Sequence, residues 1–175
     1  PPVLHPVLAR LCLEHGAHLV SSSQIGPAMR AMDDEFRTAG LVSQHESGLD
    51  PGLDLVMGHD LVARYRASRV CHPENELTIT AYCCGFPKIP APFRYKFSWA
   101  PEGVLRALRE PARYIDDFTE KSAAHCWTVL GEFTAPLPYP EGFEAYPHGD
   151  SLPMIARLGL DPETRVKGVR FGTLR

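Results

Sequence analysis

The sequence predicts an α/β protein: the end of a doubly wound parallel sheet, followed by a mixed α+β domain. Three observations lead there. The first third alternates helical and strand-like apolar runs with short links, the rhythm of a parallel α/β layer. From Glu76 the period changes, and Leu77, Ile79 and Ala81 alternate with Thr78, Thr80 and Tyr82 as in a half-buried strand. Prolines (17) and glycines (14) punctuate the second half as turns. At 175 residues the chain is long enough to bury a real core. The expected division gives residues 1–70 to the parallel-sheet part and 71–175 to the mixed-sheet part.

The elements follow in order. Pro1 to Gly16 predicts a helix with apolar Val3, Leu4, Val7, Leu8, Leu11 and Cys12 on one face, stopped by Gly16. A short strand, His18-Leu19-Val20, runs into Ser21-Ser22-Ser23. Gly26 and Pro27 open a second helix with Met29, Met32 and Phe36 inward and Gly40 as its stop. Leu41 to Glu46 is the next strand. The stretch Gly48-Leu49-Asp50-Pro51-Gly52-Leu53-Asp54 reads as a strand end turning into a helix. Asp50 suits the N-cap and Pro51 the first helical position, where a missing N–H costs nothing. Behind it Leu53, Val56, Met57, Leu61, Val62 and Tyr65 recur at helical spacing, as one buried face to about Ser68.

The second half opens with the strand from Glu76 to Tyr82, then Cys83-Cys84-Gly85-Phe86-Pro87 and a proline-rich link. Arg94-Tyr95-Lys96-Phe97-Ser98-Trp99 comes next, and Pro101 starts a helix carrying Val104, Leu105 and Leu108. The row Arg106, Arg109 and Arg113 reads as one solvated helix face, or as partners for Glu110, Asp116 and Asp117. His125 to Phe133 is expected as a strand. Asp150 or Ser151 caps a helix ended by Gly159, and Arg165 to Leu174 reads as the closing strand.

Composition narrows the function. A formal charge of −3 gives no basic surface of the kind nucleic acid needs. No apolar run approaches membrane-spanning length, so neither nucleic acid nor membrane is an expected partner. The cysteines, Cys12, Cys71, Cys83, Cys84 and Cys126, are odd in number and have no CxxC spacing, which argues against a disulfide framework or zinc site and for a reducing compartment. His15 and His18 are separated by a glycine that ends the helix, a poor metal pair. The chain begins without methionine and stops after a strand-like run, and is expected to be part of something longer.

Four stretches in order resemble the saccharopine dehydrogenase family, especially the saccharopine-oxidising half of the bifunctional animal lysine-degrading enzyme. They are Val20-Ser21-Ser22-Ser23, Gly48 to Asp54, Tyr82 to Pro87 leading to Tyr95-Lys96-Phe97-Ser98-Trp99, and Tyr146 to Ser151. Leu4-His5-Pro6 and Gly172-Thr173-Leu174-Arg175 are similar too. The resemblance implies an NAD- or NADP-dependent oxidoreductase with a Rossmann-like domain and a second domain for substrate and dimer contacts. Hydride then passes between cofactor and the carbon of a secondary amine, through an imine that water opens. It implies that Ser22, Ser23, Asp50, Cys83, Arg94 and Asp150 contact an amino-acid substrate. It also implies that Leu49, Asp50, Pro51, Gly52 and Asp54 line the cofactor cleft, and that the protein is a homodimer of the cytoplasm, or of the mitochondrial matrix if of animal type. It assigns no general base and no metal.

The departures bear on substrate and cofactor. No GxGxxG is present, so the phosphate-binding turn of a Rossmann-like domain is missing from these residues. Leu55 stands where the family usually has His, Cys84 where it has Gly, and His148-Gly149 where it has Asn-Arg. Losing that Arg removes a two-pronged carboxylate partner, which leaves the substrate open between saccharopine and a related secondary amine. The alternative reading is a non-catalytic domain for small-molecule binding or dimerisation.

Overall fold

The computed structural model describes residues 2–89, 96–97, 101–135, 141–160 and 164–174. Arg94, with Tyr95, Ser98 and Trp99 of the expected strand, lies outside them. Packing of the backbone divides the chain into two compact units, Pro1–Met57 and Gly58–Arg175.

In the first unit a 3-10 turn, Pro2–Leu4, leads into α1 (His5–Glu14), followed by β1 (Leu19–Val20), α2 (Pro27–Arg30), α3 (Asp33–Thr38) and β2 (Ser43–Gln44). β1 and β2 pair in parallel, Leu19 opposite Ser43 and Val20 opposite Gln44. Ala9, Met29, Met32 and Phe36 form the buried core, with Cys12, Leu13, Leu19, Ile25 and Leu41 packed around it. Met29, Met32 and Phe36 thus point inward as expected, although the expected single helix is two, broken at Ala31 and Met32. The apolar residues of α1 divide between core and surface. Ala9, Cys12 and Leu13 turn to the core, while Val3, Leu4, Val7, Leu8 and Leu11 are exposed. The apolar stripe is wider than the contact, and the small Ala9 side chain marks where packing is closest.

α4 (Leu53–Ala67) differs in two ways. It starts at Leu53, so Asp50 and Pro51 belong to the turn before it and Asp50 is not its cap. Of the expected inner face only Val62 is buried, while Leu53, Val56, Met57 and Leu61 are exposed. Periodicity locates an apolar stripe but not what covers it.

The second unit holds β3 (Leu77–Cys83), α5 (Pro101–Arg109), β4 (Ala112–Asp116), β5 (Thr119–Ala123), a 3-10 turn (Cys126–Val129), β6 (Gly131–Ala135), β7 (Glu141–Pro147), β8 (Gly149–Asp150), α6 (Pro153–Arg157) and β9 (Val166–Leu174). Among the described residues they build one seven-stranded, mostly antiparallel sheet. The fold is therefore mixed α/β, as the sequence predicts. β9 is its spine. Along one edge it pairs in parallel with β3, from Leu77 opposite Val166 to Cys83 opposite Thr173. Along the other it meets β4 at Val169, opposite Ile115, and then β7, where Tyr146 faces Thr173. Gly172 makes the second change of partner sterically feasible. A methyl there would press on the Tyr146 carbonyl and lie 2.9 Å from Pro147 Cα. Ala112, Cys126 and Tyr146 form a small buried cluster with Leu108 of α5 over it.

Two expectations in this unit are corrected. Residues 125–133 are not one strand: His125 precedes the 3-10 turn, and only Gly131–Ala135 is extended. Arg113 does not continue the Arg106–Arg109 helix row. It lies on β4, in a hairpin with β5 that turns at Asp117 and Phe118, both at positive φ (50° and 60°).

Candidate functional site

In the first unit two loops leave the carboxyl ends of adjacent parallel strands, the place where open α/β sheets receive ligands. Ser21–Ser23 follows β1, and residues 45–54 follow β2. Backbone bonds lace them together: the Glu46 amide donates to Ser23 O at 3.1 Å and the Ser47 amide to Ser21 O at 3.0 Å. Within the first loop the Ser23 amide donates to Ser21 Oγ at 3.1 Å. Gly48 lies against Ser22; a methyl on Gly48 would be 3.0 Å from Ser22 Cβ. So Ser22, Ser23 and the Gly48–Asp54 stretch come together in the structure. Ser22, Leu49 and Asp50 are exposed, whereas Ser23, Pro51, Gly52 and Asp54 are half-buried.

The turn before α4 closes on itself. The Gly48 amide donates to Pro51 O at 3.2 Å, the Leu53 amide to Gly48 O at 2.9 Å, and Gly48 bridges to Gly52. The Asp50–Pro51 peptide is cis. Gly52 has φ 146°, and a methyl there would lie 2.5 Å from Glu46 O. Only glycine fits. Its amide donates to Asp54 Oδ1 at 2.6 Å, so the Asp54 carboxylate ties that amide into the turn.

Sequence reasoning passed over a polar cluster beneath these loops. His5 Nδ1 is 3.4 Å from Ser21 Oγ, and His45 Nε2 is 2.8 Å from Ser43 Oγ. Burial, helped by the nearby His5, holds the His45 imidazole below its ordinary pKa. The available signal was the alternation itself: Leu41, Ser43 and His45 share one side of an extended run.

In the second unit Cys83 ends β3, half-buried and in register with Thr173. Thr173 Oγ1 is 2.9 Å from His148 Nδ1, and the His148 amide donates to Phe171 O at 3.1 Å. Asp150 is engaged through both oxygens: Oδ2 pairs with Arg113 Nη1 at 2.8 Å and Oδ1 accepts the Leu152 amide at 3.0 Å. Arg113 also binds Glu120 Oε1 through Nη2 at 2.7 Å. The role of Arg113 was missed, although Pro111 already forbids a helix running through it. Burial pushes the Cys84 and Cys126 thiols up, so neither is an activated nucleophile. Among the described residues no group of His, Cys, Asp and Glu side chains could hold a metal ion.

Comparison with known proteins agrees with the architecture. Residues 48–175 match the family model described as the saccharopine dehydrogenase C-terminal domain. The chain is 35% identical over 170 residues to mouse alpha-aminoadipic semialdehyde synthase, mitochondrial, covering 91% of this chain and 17% of that protein. It is 31% identical over 179 residues to saccharopine dehydrogenase [NADP(+), L-glutamate-forming] of Pyricularia oryzae, covering 100% of this chain and 38% of the relative. A solved structure of apo saccharopine dehydrogenase (L-Glu forming) from Saccharomyces cerevisiae superposes with a TM-score of 0.75 at 29% identity, over 100% of this chain and 38% of that one. The chain thus spans well under half the length of these relatives. With the family model matched across all of the second unit and the site turn, the chain belongs to the saccharopine dehydrogenase family of oxidoreductases.

Proposed function

We propose that this chain works within an NAD(P)-dependent oxidoreductase that acts on the C–N bond of an amino-acid-derived secondary amine, saccharopine or a close relative. The supporting observation is the pair of laced loops at the carboxyl ends of β1 and β2, which gather Ser22, Ser23 and Asp50 at an open edge. Ser22 and Ser23 offer hydroxyls that donate to or accept from a substrate's polar groups, and Asp50 offers a carboxylate for a substrate ammonium. The family resemblance adds Cys83, Arg94 and Asp150 as proposed substrate contacts, with Arg94 the carboxylate partner. Leu49, Asp50, Pro51, Gly52 and Asp54 shape the wall for the nicotinamide end of the cofactor, which would supply hydride transfer when bound. The phosphates require a glycine-rich turn that these residues lack. A homodimer, in the cytoplasm or the mitochondrial matrix, is part of the same proposal.

The test is thermal shift on the full-length protein with NAD, NADP, saccharopine and an amino-acid panel, singly and in pairs. A ligand present near 100 times its dissociation constant stabilises the native state by about 2.7 kcal/mol, a readable shift. A response to nucleotide together with saccharopine is the expected result. Nucleotide with another amino acid would change the substrate, and no nucleotide response would leave a binding or dimerisation domain.

A further inference from the structure

The polar cluster under α1 is absorbed by nothing above. The β1–β2 register continues with the Ser21 amide donating to Gln44 O at 2.9 Å, which sets Ser21 beside His45 on the face that carries Leu19 and Ser43. The His45 ring is fixed by Ser43 at Nε2, while Nδ1 is buried and, among the described residues, has no hydrogen-bond partner. Directly after it, Glu46 sits at φ 56°, a left-handed backbone held by the bonds from Glu46 and Ser47 to the first loop. A neutral imidazole needs one donor and one acceptor contact; protonation makes both nitrogens donors. A second buried N–H bearing positive charge would then face no acceptor.

We infer that His45 is a positioning residue: its neutral ring seats residues 45–48 against Ser21–Ser23, and uptake of a proton releases them. The titratable groups facing the ring are His5 from α1, which opposes the proton, and Glu46 from its own loop, which favours it. Burial is the larger influence and opposes the proton. Ser21 and Ser43 are uncharged. Because the folded pKa is depressed below the unfolded value, the ordering is complete above about pH 6.5 and is lost as pH falls toward the folded pKa. The consequence for ligands rests on the proposed cleft. The release itself is read without any ligand.

The experiment is amide hydrogen exchange at Glu46 and Ser47 in the full-length protein, expressed as protection factors between about pH 8 and about pH 5. Protection is expected to be flat above about pH 6.5, then to fall by up to tenfold per pH unit and level off at the folded pKa of His45. His45→Gln keeps a donor and an acceptor without titrating, so its profile is expected to be flat. His5→Gln should shorten the fall by raising the His45 pKa. The same fall in His45→Gln, or a flat profile in the natural protein, overturns the inference. Should His45→Gln not fold, the NMR titration of the His45 ring decides, and a pKa at or above about 6.5 overturns it. A failed nucleotide response sinks the oxidoreductase reading alone, because this profile needs no nucleotide.

Discussion

The Ser151 hydroxyl accepts the Phe171 amide hydrogen at 3.0 Å, and the residue is only 1% exposed. The Ser151 amide in turn donates to Arg113 O at 2.9 Å. One side chain therefore satisfies β9 where its partner changes from β4 to β7, while its own backbone fastens to β4. Ser151→Ala leaves a buried N–H without a partner and is expected to cost about 1–3 kcal/mol. Urea unfolding should show a lower midpoint with an unchanged slope.

Gly172 and Gly58 make a contrasting pair. Gly172→Ala drives a methyl into the backbone of Tyr146 and Pro147, which cannot give way, so a loss above about 3 kcal/mol is expected. At Gly58 the atom nearest to such a methyl is Leu158 Cδ2, at 2.6 Å. That is the end of a side chain, and alanine is the better helix former by about 1 kcal/mol. Gly58→Ala should therefore cost far less than Gly172→Ala, as thermal unfolding of both variants will check.

Asp150→Ala should be more destabilising than Arg113→Met. The arginine change removes only exposed ion pairs with Asp150 and Glu120, which solvent screens. The aspartate change removes one such pair and also the acceptor for the Leu152 amide, a cap-like contact worth about 1 kcal/mol. A double-mutant cycle on Arg113 and Asp150 is expected to give a small coupling that shrinks in high salt.

Lys121 Nζ lies 2.6 Å from Asp116 Oδ2, and Arg170 Nη2 lies 2.7 Å from Asp116 Oδ1. The Lys121 hydrogen bond first, and Arg170 beside it, hold the Asp116 carboxyl below its ordinary value. With the folded pKa depressed, its stabilisation is present above the unfolded pKa of about 3.9 and is lost as pH falls through the folded value. The carboxylate is 40% exposed, so solvent screening keeps the effect under about 1 kcal/mol. Asp116→Asn should lose up to that amount at neutral pH and change little well below about pH 4, so that the acid limb of its stability profile is flatter.

Much of the first unit was legible because glycine and proline mark its boundaries. Gly16, Pro27 and Gly40 bracket helices where expected, and Met29, Met32 and Phe36 are inward. The Asp50-Pro51 dipeptide misled because it has the chemistry of a cap, while the backbone instead turns at Gly52 and gives that amide to Asp54. The exposed stripe of α4 was misread as a buried face because periodicity says which residues align and nothing about their cover. The hairpin at Asp117-Phe118 carries no Asn-Gly signal, so basic residues on either side of Pro111 merged into one apparent helix row. Ser22, Ser23 and the Gly48–Asp54 turn, which the structure brings together, were singled out through the order of motifs. The cluster of His5 and His45 was not, because two histidines 40 positions apart meet only through the β1–β2 register.

The position of β9 also governs how the chain can be assembled as it is made. β3 is synthesised with one edge waiting for a strand that follows five others, and β4 and β7 wait for the same segment. Until residues 166–174 leave the ribosome, three strands carry unpaired amides and carbonyls that any neighbouring chain could engage. Of the described strands β9 is made after the others and joins three of them, so a product ending just short of Val166 is expected to be aggregation-prone instead of a smaller version of the domain.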